Sequence, residues 1–456
     1  MKKTPVTSFR INNNYKQAFD KTIQSFPDVV TKIKECKNIF LKISIDHLYD
    51  FQYTNLELLQ SILEYMRQEN PLAKIYVMEN NIYGNFTRLL VNVLGIVKLI
   101  KSYKAKFLYL DEKKAITVSI GSPEEQVSVQ FPQILKDKLI DERKKSFYLN
   151  LASLKTHYQL KVAAGLANQA GLLNRRSFRF IYSSLFHQTL VNLRHYIKPD
   201  FTIVDANYVL AHGSMPPKCL IKKYSEYINR LIAGVDPIAV DRVAIEMAGY
   251  SPLEINHLKL AIAQNYGEGD LDNIEIEGEL PSNSSKIPYS HELYQLPQRM
   301  DIIFGKKRDT GLGCLGLALQ FAQIIFKDFL GNRGFSIICG QDFSENQLFH
   351  LREPVIVLGS KACDEVSLFI KENYQKHYYI DHCDNINQII AVLVKVMGGS
   401  KYNIIGVNPL TVWKYLLFAK FNGLKYKLPT IARKTKSWKI KKIHKAEISE
   451  NKETKA

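Results

Sequence analysis

The sequence predicts an α/β fold made of two Rossmann-like domains, each with a parallel or mixed sheet, and a cleft between them. Short apolar runs alternate with helical patterns of about 10–15 residues, an order typical of βαβ units. The alternation stops at a stretch rich in Ser, Pro and Asn, 280–296, and starts again after it. The 456 residues also exceed the roughly 250–300 at which a single core stops growing.

These patterns divide the chain into four parts. Residues 1–280 form the first α/β domain, 281–299 a linker, 300–430 a smaller α/β domain and 431–456 a basic, disordered tail. Strands are predicted at 39–45, 74–78, 107–110, 146–152, 201–204, 231–235, 274–276, 301–304, 335–339, 355–358 and 378–380. Helices are predicted at 14–37, 55–67 with Thr54 as the cap, 88–102, 174–196, 253–265, 315–330, 386–397 and 413–421.

The charge balance points to an anionic partner. The chain carries 62 Lys and Arg against 44 Asp and Glu, a net charge of +18. Nine of the basic residues lie in 433–456. Such a segment binds nucleic acid or an anionic membrane, or it only keeps the protein in solution.

Cysteine spacing and apolar runs limit the class of protein. The six cysteines are scattered without a C-x-x-C pair, so we expect neither a zinc ribbon nor an iron–sulfur cluster. Scattered thiols in a long chain suit a reducing compartment, and the N-terminus has no apolar run typical of a secretory signal. The runs 89–100 and 389–397 are shorter than the ~18 residues of a membrane span. We therefore expect a cytoplasmic protein with no transmembrane segment.

A first candidate site follows the predicted strand 146–152, which continues into Lys155, Thr156 and His157. Ligands of α/β sheets bind at the carboxyl edge, where a lysine and a histidine can hold a carboxylate or phosphate and move a proton. The alternative is an exposed lysine and a histidine that caps a turn.

A second candidate site contains carboxylates that follow two apolar runs. Asp205 follows 201–204, Asp236 follows 231–235, and Asp241 comes five residues later. If the runs form neighbouring strands, the carboxylates approach each other and suit Mg²⁺, Mn²⁺ or acid–base catalysis. An Asp-Pro pair after a strand is equally typical of a helix N-cap. We expect Asp205 to face the Lys155 and His157 cluster.

Further candidates lie around these two clusters. His212 and Gly213 belong to the Gly- and Pro-rich loop after Asp205. His187, in the predicted helix 174–196, is a catalytic or a core histidine, and Arg175 and Arg176 give that helix a basic face that binds an anion or is solvated. A G-x-G-x-x-G spacing at 311–316 is too far from the preceding strand for a typical dinucleotide site, which favours close helix packing.

The order of motifs over 38–280 resembles a bacterial and archaeal family known as domain of unknown function family 362. KPDFTIVDA at 198–206 and GVDPIAVDRVA at 234–244 are the most specific motifs, after NLASLKTHYQLKVAAGLANQAGLL at 150–173 and the strand lysine Lys42. The resemblance implies ligand-binding roles for Lys42 and Asn168. The family usually has a lysine where this chain has Ala167, and many members carry ferredoxin-like cysteine motifs that are absent here.

The segment is also distantly similar to the N-terminal domain of the nickel-pincer lactate racemases, whose cofactor is held through a lysine in a comparable glycine-rich segment. Ala167 argues against carrying that cofactor over, so the cofactor stays open, with a divalent metal ion as one candidate.

The sequence therefore predicts an enzyme that acts on a small anionic metabolite, with or without a metal ion. The reaction type stays open, although proton abstraction beside a carboxylate suits a lysine and a histidine together. The predicted catalytic residues are Lys155, His157, Asp205 and His187, the ligand-binding residues are Lys42, Asn168, His212, Gly213, Arg175 and Arg176, and the metal ligands are Asp236 and Asp241. The rival hypothesis is a non-catalytic binding protein whose helix 413–421 and basic tail dock on nucleic acid or an anionic membrane.

Overall fold

The computed structural model describes residues 3–80, 86–174, 177, 185–280, 285–289, 295–307, 312–381, 386–398 and 409–422. The strands in these ranges are β1 (Thr4–Arg10), β2 (Asn38–Lys42), β3 (Lys74–Glu79), β4 (Lys106–Tyr109), β5 (Ala115–Ile120), β6 (Val127–Pro132), β7 (Ser146–His157), β8 (Lys161–Ala163), β9 (Phe201–Leu210), β10 (Ser225–Gly234), β11 (Ile274–Gly278), β12 (Met300–Phe304), β13 (Phe335–Cys339), β14 (Val355–Leu358) and β15 (His377–Ile380).

The α-helices in the same ranges vary from one turn to five. They are α1 (Tyr15–Gln24), α2 (Pro27–Glu35), α3 (Leu56–Glu69), α4 (Thr87–Val93), α5 (Ile96–Ser102), α6 (Gln133–Leu135), α7 (Gly165–Asn168), α8 (Phe186–Tyr196), α9 (Pro237–Met247), α10 (Asn256–Ala263), α11 (Leu312–Phe329), α12 (Glu345–Leu348), α13 (Ser360–Asn373), α14 (Ile386–Met397) and α15 (Pro409–Phe421). Among the described residues, no helix is long and apolar enough to cross a membrane.

Among the described residues, two large sheets organise the fold, and β5 pairs with β6 in a separate two-stranded sheet. The larger is mixed, in the order β11-β1-β10-β9-β7-β2-β3-β4, with β8 added to β7. Its strands β9, β7, β2, β3 and β4 are parallel, whereas β10 is antiparallel to both of its neighbours. The smaller sheet, β12-β13-β14-β15, is entirely parallel. The α/β prediction is confirmed at this level, and every predicted strand overlaps an observed one.

Apolar side chains cover both faces of the central strands. On one face, Ile39 and Leu41 of β2 join a buried cluster with Ile33 of α2 and Leu58 of α3. On the other face, Phe40 belongs to a cluster that also contains residues of α11 and of the smaller sheet. This burial on both faces explains why the middle of β2, Ile39 to Leu41, is entirely apolar, as expected for a central parallel strand. It also brings the two sheets together through a shared core.

Local details differ from the predictions where short-range chemistry decides them. Asn55, and not Thr54, caps α3: its side chain accepts from the Glu57 and Leu58 amides at 2.9 and 3.2 Å. The Thr54 hydroxyl instead accepts from the Ser44 amide at 2.8 Å. The helix predicted over 88–102 is divided at Gly95, which adopts a left-handed φ of 77°. The tail 431–456 and parts of the predicted linker, 281–284 and 290–294, lie outside the described residues.

Candidate functional site

A cleft opens at the carboxyl ends of β2, β3 and β7, closed on one side by the small-residue segment that begins in β8. Its volume is about 480 Å³ when the space open to solvent is included. The lining residues are Lys42, Ser44, Ile45, Asp46, Glu79, Asn80, Ser153, Lys155, His157, Leu160, Ala163, Ala164, Ala167, Asn168, Gly171 and Phe186.

The first polar feature of the cleft is the buried pair Lys42–Glu79. Lys42 ends β2, Glu79 ends β3, and 2.8 Å separates the ammonium from one carboxylate oxygen. The same ammonium donates to the Ile43 carbonyl at 2.7 Å and to the Asn168 side chain at 3.3 Å. Burial lowers the pKa of Lys42 and raises the pKa of Glu79 to about 7, in each case against the attraction of the partner. Burial therefore disfavours the charged form of both partners.

Gly171 and Asn168 place this pair. A Cβ atom at Gly171 would lie 2.2 Å from a Glu79 carboxylate oxygen and 2.8 Å from the Lys42 ammonium, so a side chain at this position would displace the pair. The Asn168 amide nitrogen donates to the Asn150 side chain at 2.8 Å, which turns its oxygen toward Lys42. Lys42 and Asn168, both predicted from the family resemblance, are thus in one polar cluster.

The second feature is Lys155, which extends from the end of β7. Its ammonium contacts the Asp46 carboxylate and donates to the Ser44 hydroxyl at 3.1 Å. The Lys155 and Asp46 side chains are 12% and 7% exposed, compared with 1% for Lys42. Burial raises the pKa of Asp46, and the Lys155 ammonium opposes that effect. The cleft therefore contains two lysines, of which Lys155 is the more accessible.

His157 lines the cleft as predicted, but in a neutral form. Its Nδ1 accepts from the Gln159 and Leu160 amides at 3.1 and 3.2 Å. Burial lowers the pKa of His157 to about 3, and the charge of Lys155 acts in the same direction. Because Nδ1 is an acceptor, the proton of the neutral ring lies on Nε2. His157 is suited to donate a hydrogen bond.

Asp205 lies apart from this cleft. The apolar run before it suggests a strand end, but β9 continues to Leu210 and places Asp205 in mid-strand. Its carboxylate accepts from the Tyr15 hydroxyl at 3.1 Å and from the Asn207 amide at 3.0 Å. Asp205 does not line the cleft, so the expectation that it faces Lys155 and His157 is wrong.

The expected approach of Asp205 to Asp236 is also absent, because β10 runs antiparallel to β9. Leu231 of β10 is opposite Asp205, and Asp236 follows the far end of β10. Asp236 caps α9 instead, accepting from the Ile238 amide at 2.9 Å and from the Glu268 amide at 2.8 Å. The helix-cap interpretation of Asp236 is confirmed.

Asp241, predicted as a metal ligand, also binds backbone amides. It is fully buried in α9 and accepts from the Gly165 and Leu166 amides at 2.7 and 2.9 Å. These amides begin α7, and Gly165 is required there because a Cβ atom would lie 2.7 Å from an Asp241 oxygen. Within the described ranges, no group of three or more His, Cys, Asp or Glu residues is arranged to hold a metal ion. Asp241 thus anchors the segment that closes the cleft.

The other predicted residues lie elsewhere. His187, next to the cleft residue Phe186, stacks on His257 at 5.8 Å between ring centroids. His212 packs 4.3 Å from the Tyr224 ring, and the Gly213 amide donates to the Thr156 hydroxyl at 2.9 Å. None of the three lines the cleft. Arg175 and Arg176, like Gly311 of the G-x-G-x-x-G spacing, lie outside the described residues.

Sequence reasoning did not select Ser44, Asp46 or Glu79. Glu79 had a usable signal, since it directly follows the predicted strand 74–78 at the same sheet edge as Lys42. Ser44 and Asp46 belong to an irregular segment after β2, where no periodicity indicates which side chains turn inward.

Fold and cleft define a mixed α/β protein with a polar, lysine-containing site at the carboxyl edge of its larger sheet. Residues 39–246 match the family model described as Domain of unknown function (DUF362), which confirms the resemblance seen in the sequence motifs over this part of the chain. In structure, the chain is similar to the lactate racemase apoprotein from Thermoanaerobacterium thermosaccharolyticum, with 11% identity and a TM-score of 0.39 over 87% of this chain and 82% of that chain. No curated protein matches the chain in sequence.

Proposed function

We propose that this protein is an enzyme that binds a small anionic metabolite in the cleft at the ends of β2, β3 and β7. The observation that carries the proposal is the presence of two lysines, Lys42 and Lys155, in one largely buried cavity. Burying charge is costly, and replacing such pairs by apolar residues is often neutral or stabilising. A cavity that keeps two ion pairs is therefore better explained by ligand chemistry than by stability.

The two lysines have different roles in this proposal. Lys155 is the more exposed and lies beside the Ser44 hydroxyl, so it binds the anionic group of the ligand while Asp46 holds it in place. Lys42 is inaccessible behind Glu79 and Asn168, and it tunes the proton affinity of Glu79.

Proton transfer is the reaction type that suits this arrangement. A carboxyl group with a pKa of about 7 is matched to neutral pH as a general acid or base. The Nε2–H of neutral His157 supplies a hydrogen bond to an oxyanion that forms when a proton is removed beside a carboxylate. In this proposal Glu79 is the general acid or base, a role that the sequence had suggested for His157.

The test is a thermal-shift screen of the purified protein against mono- and dicarboxylates, hydroxy acids and small phosphate esters. At least one compound should raise Tm with a saturating dependence on concentration, because a ligand of the folded state stabilises it by mass action. Lys155→Met should lose that shift, while Lys361→Met, a substitution of an exposed lysine on α13, should keep it. An unchanged ligand response in Lys155→Met would refute the proposed site.

A further inference from the structure

Helix α15 is fixed to the larger α/β unit by one of its faces. Val412 and Ala419 are buried in a small cluster with Phe86 and Leu89, next to and within α4. The Arg88 guanidinium lies 4.7 Å from the centre of the Phe418 ring and is itself ion-paired with Glu112 at 2.5 Å. The orientation of α15 on the protein surface is therefore set by specific contacts.

The opposite face of α15 is apolar and exposed. Leu410, Trp413 and Phe421 are 77%, 64% and 83% exposed. At about 100° per residue, these three side chains fall on one stripe together with the half-buried Leu417. Lys414 and Lys420 are exposed at the borders of the stripe. Large side chains of this kind, grouped and exposed, mark an interaction surface.

The composition of the stripe indicates which partner covers it. Trp, Phe and Leu with lysines beside them are the side chains that interfacial helices place in a bilayer, and in α15 the opposite face packs on the protein and not on solvent. The chain has a net charge of +18, and the sequence directly after α15, 423–456, contains eleven Lys and Arg against three Glu. Both tryptophans of the chain, Trp413 and Trp438, belong to this C-terminal part. Positive charge selects an anionic surface, and the apolar stripe favours lipid over nucleic acid.

We propose that α15 docks this protein on an anionic lipid bilayer. Leu410, Trp413 and Phe421 enter the boundary between headgroups and acyl chains, and Lys414 and Lys420 contact the headgroups. The basic residues after α15 add electrostatic attraction, which falls off within a Debye length and weakens with salt. This surface is independent of the cleft and of any reaction there.

A tryptophan reporter tests the depth of docking. In the full-length Trp438→Phe variant, Trp413 is the single tryptophan. Vesicles of phosphatidylcholine with phosphatidylserine should shift its emission to shorter wavelength and protect it from iodide, and vesicles of phosphatidylcholine alone should do so far less. No shift with the anionic vesicles, or an equal shift with both, would overturn the proposal.

Vesicle sedimentation with two matched triple variants tests the surface itself. Leu410→Gln/Trp413→Gln/Phe421→Gln should weaken binding to the anionic vesicles by at least about tenfold, because apolar burial is lost. Leu72→Gln/Leu253→Gln/Leu368→Gln removes three other exposed apolar side chains and should bind like the wild type. Equal binding by both variants would overturn the assignment of α15. Binding to single-stranded RNA but not to vesicles, if lost in the α15 variant, would replace lipid by nucleic acid as the partner.

Discussion

Two carboxylates of this protein, Glu79 and Asp241, are alike in their burial and in the direction of their pKa shifts, but they contact different partners. Both are almost inaccessible, and burial raises the pKa of each to about 7. Glu79 faces the ammonium of Lys42 in the cleft at the ends of β2, β3 and β7. Asp241 accepts hydrogen bonds from the amides of Gly165 and Leu166 and does not line that cleft. The identity of the partner, and not the perturbed pKa, separates the proposed site for chemistry from an anchor of the backbone.

The difference also has a consequence for stability. A carboxylate that satisfies two buried amides contributes to folding, because those donors otherwise lose their hydrogen bonds. A buried ion pair contributes little net stability, although either partner left alone is costly. A single substitution should therefore destabilise the protein in either region. At the ion pair, substitution of both partners should restore most of the lost stability.

The largest effect is expected for Lys42→Met. It leaves the Glu79 carboxylate buried without its cation, so the free energy of unfolding should fall by about 3–5 kcal/mol in urea titrations. The double variant Lys42→Met/Glu79→Leu removes both charges and should recover most of this loss.

The loss in the free energy of unfolding caused by Lys42→Met should increase with pH. Without Lys42 the pKa of Glu79 in the folded state lies further above its unfolded value, so the folded protein retains a proton that the unfolded chain releases. Stability is then lost as pH rises through the folded-state pKa, and the deficit should be larger at pH 8 than at pH 5. An equal deficit at both values would show that lost packing, and not the unpaired charge, destabilises the variant.

A smaller but still marked effect is expected for Asp241→Ala. Two buried amides at the start of α7 lose their acceptor, at a cost of about 2–4 kcal/mol in the same urea titrations. Asp241→Asn keeps one acceptor oxygen and should lose about half as much. If Asp241→Ala unfolds like the wild type, Asp241 does not anchor the segment that closes the cleft.

Much of the fold follows from the sequence because the central strands are covered on both faces. The apolar runs around Phe40, Val77 and Ile337 are continuous for that reason, and each of them coincides with a strand. Such patterns do not show whether a strand is parallel or antiparallel to its neighbours. The run at 231–235 gives no sign that β10 is antiparallel, and this direction alone moves Asp236 to the opposite edge from the one expected.

Part of the candidate site could also be predicted from the sequence. Lys155 and His157 lie at the carboxyl end of β7, so the rule that ligands bind at the carboxyl edge of the sheet finds them. Asp205 breaks the rule because it interrupts the apolar pattern in the middle of β9 and so looks like the end of a strand. Asp46 was out of reach because its contact with Lys155 joins residues distant in sequence.

The most direct test compares the same chemical change in the two regions, Glu79→Gln and Asp241→Asn, by calorimetric titration with a ligand found in the screen. For the wild type, affinity should fall as pH rises through about 7, since ionised Glu79 adds negative charge beside a bound anion. Glu79→Gln should abolish this pH dependence. It should also raise affinity at pH 8 by about tenfold, equivalent to 1.4 kcal/mol, because the negative charge is removed. Asp241→Asn should keep the pH dependence and leave affinity within about a factor of two. The reverse outcome, with the pH dependence lost in Asp241→Asn and kept in Glu79→Gln, would contradict the assignment of the cleft as the functional site.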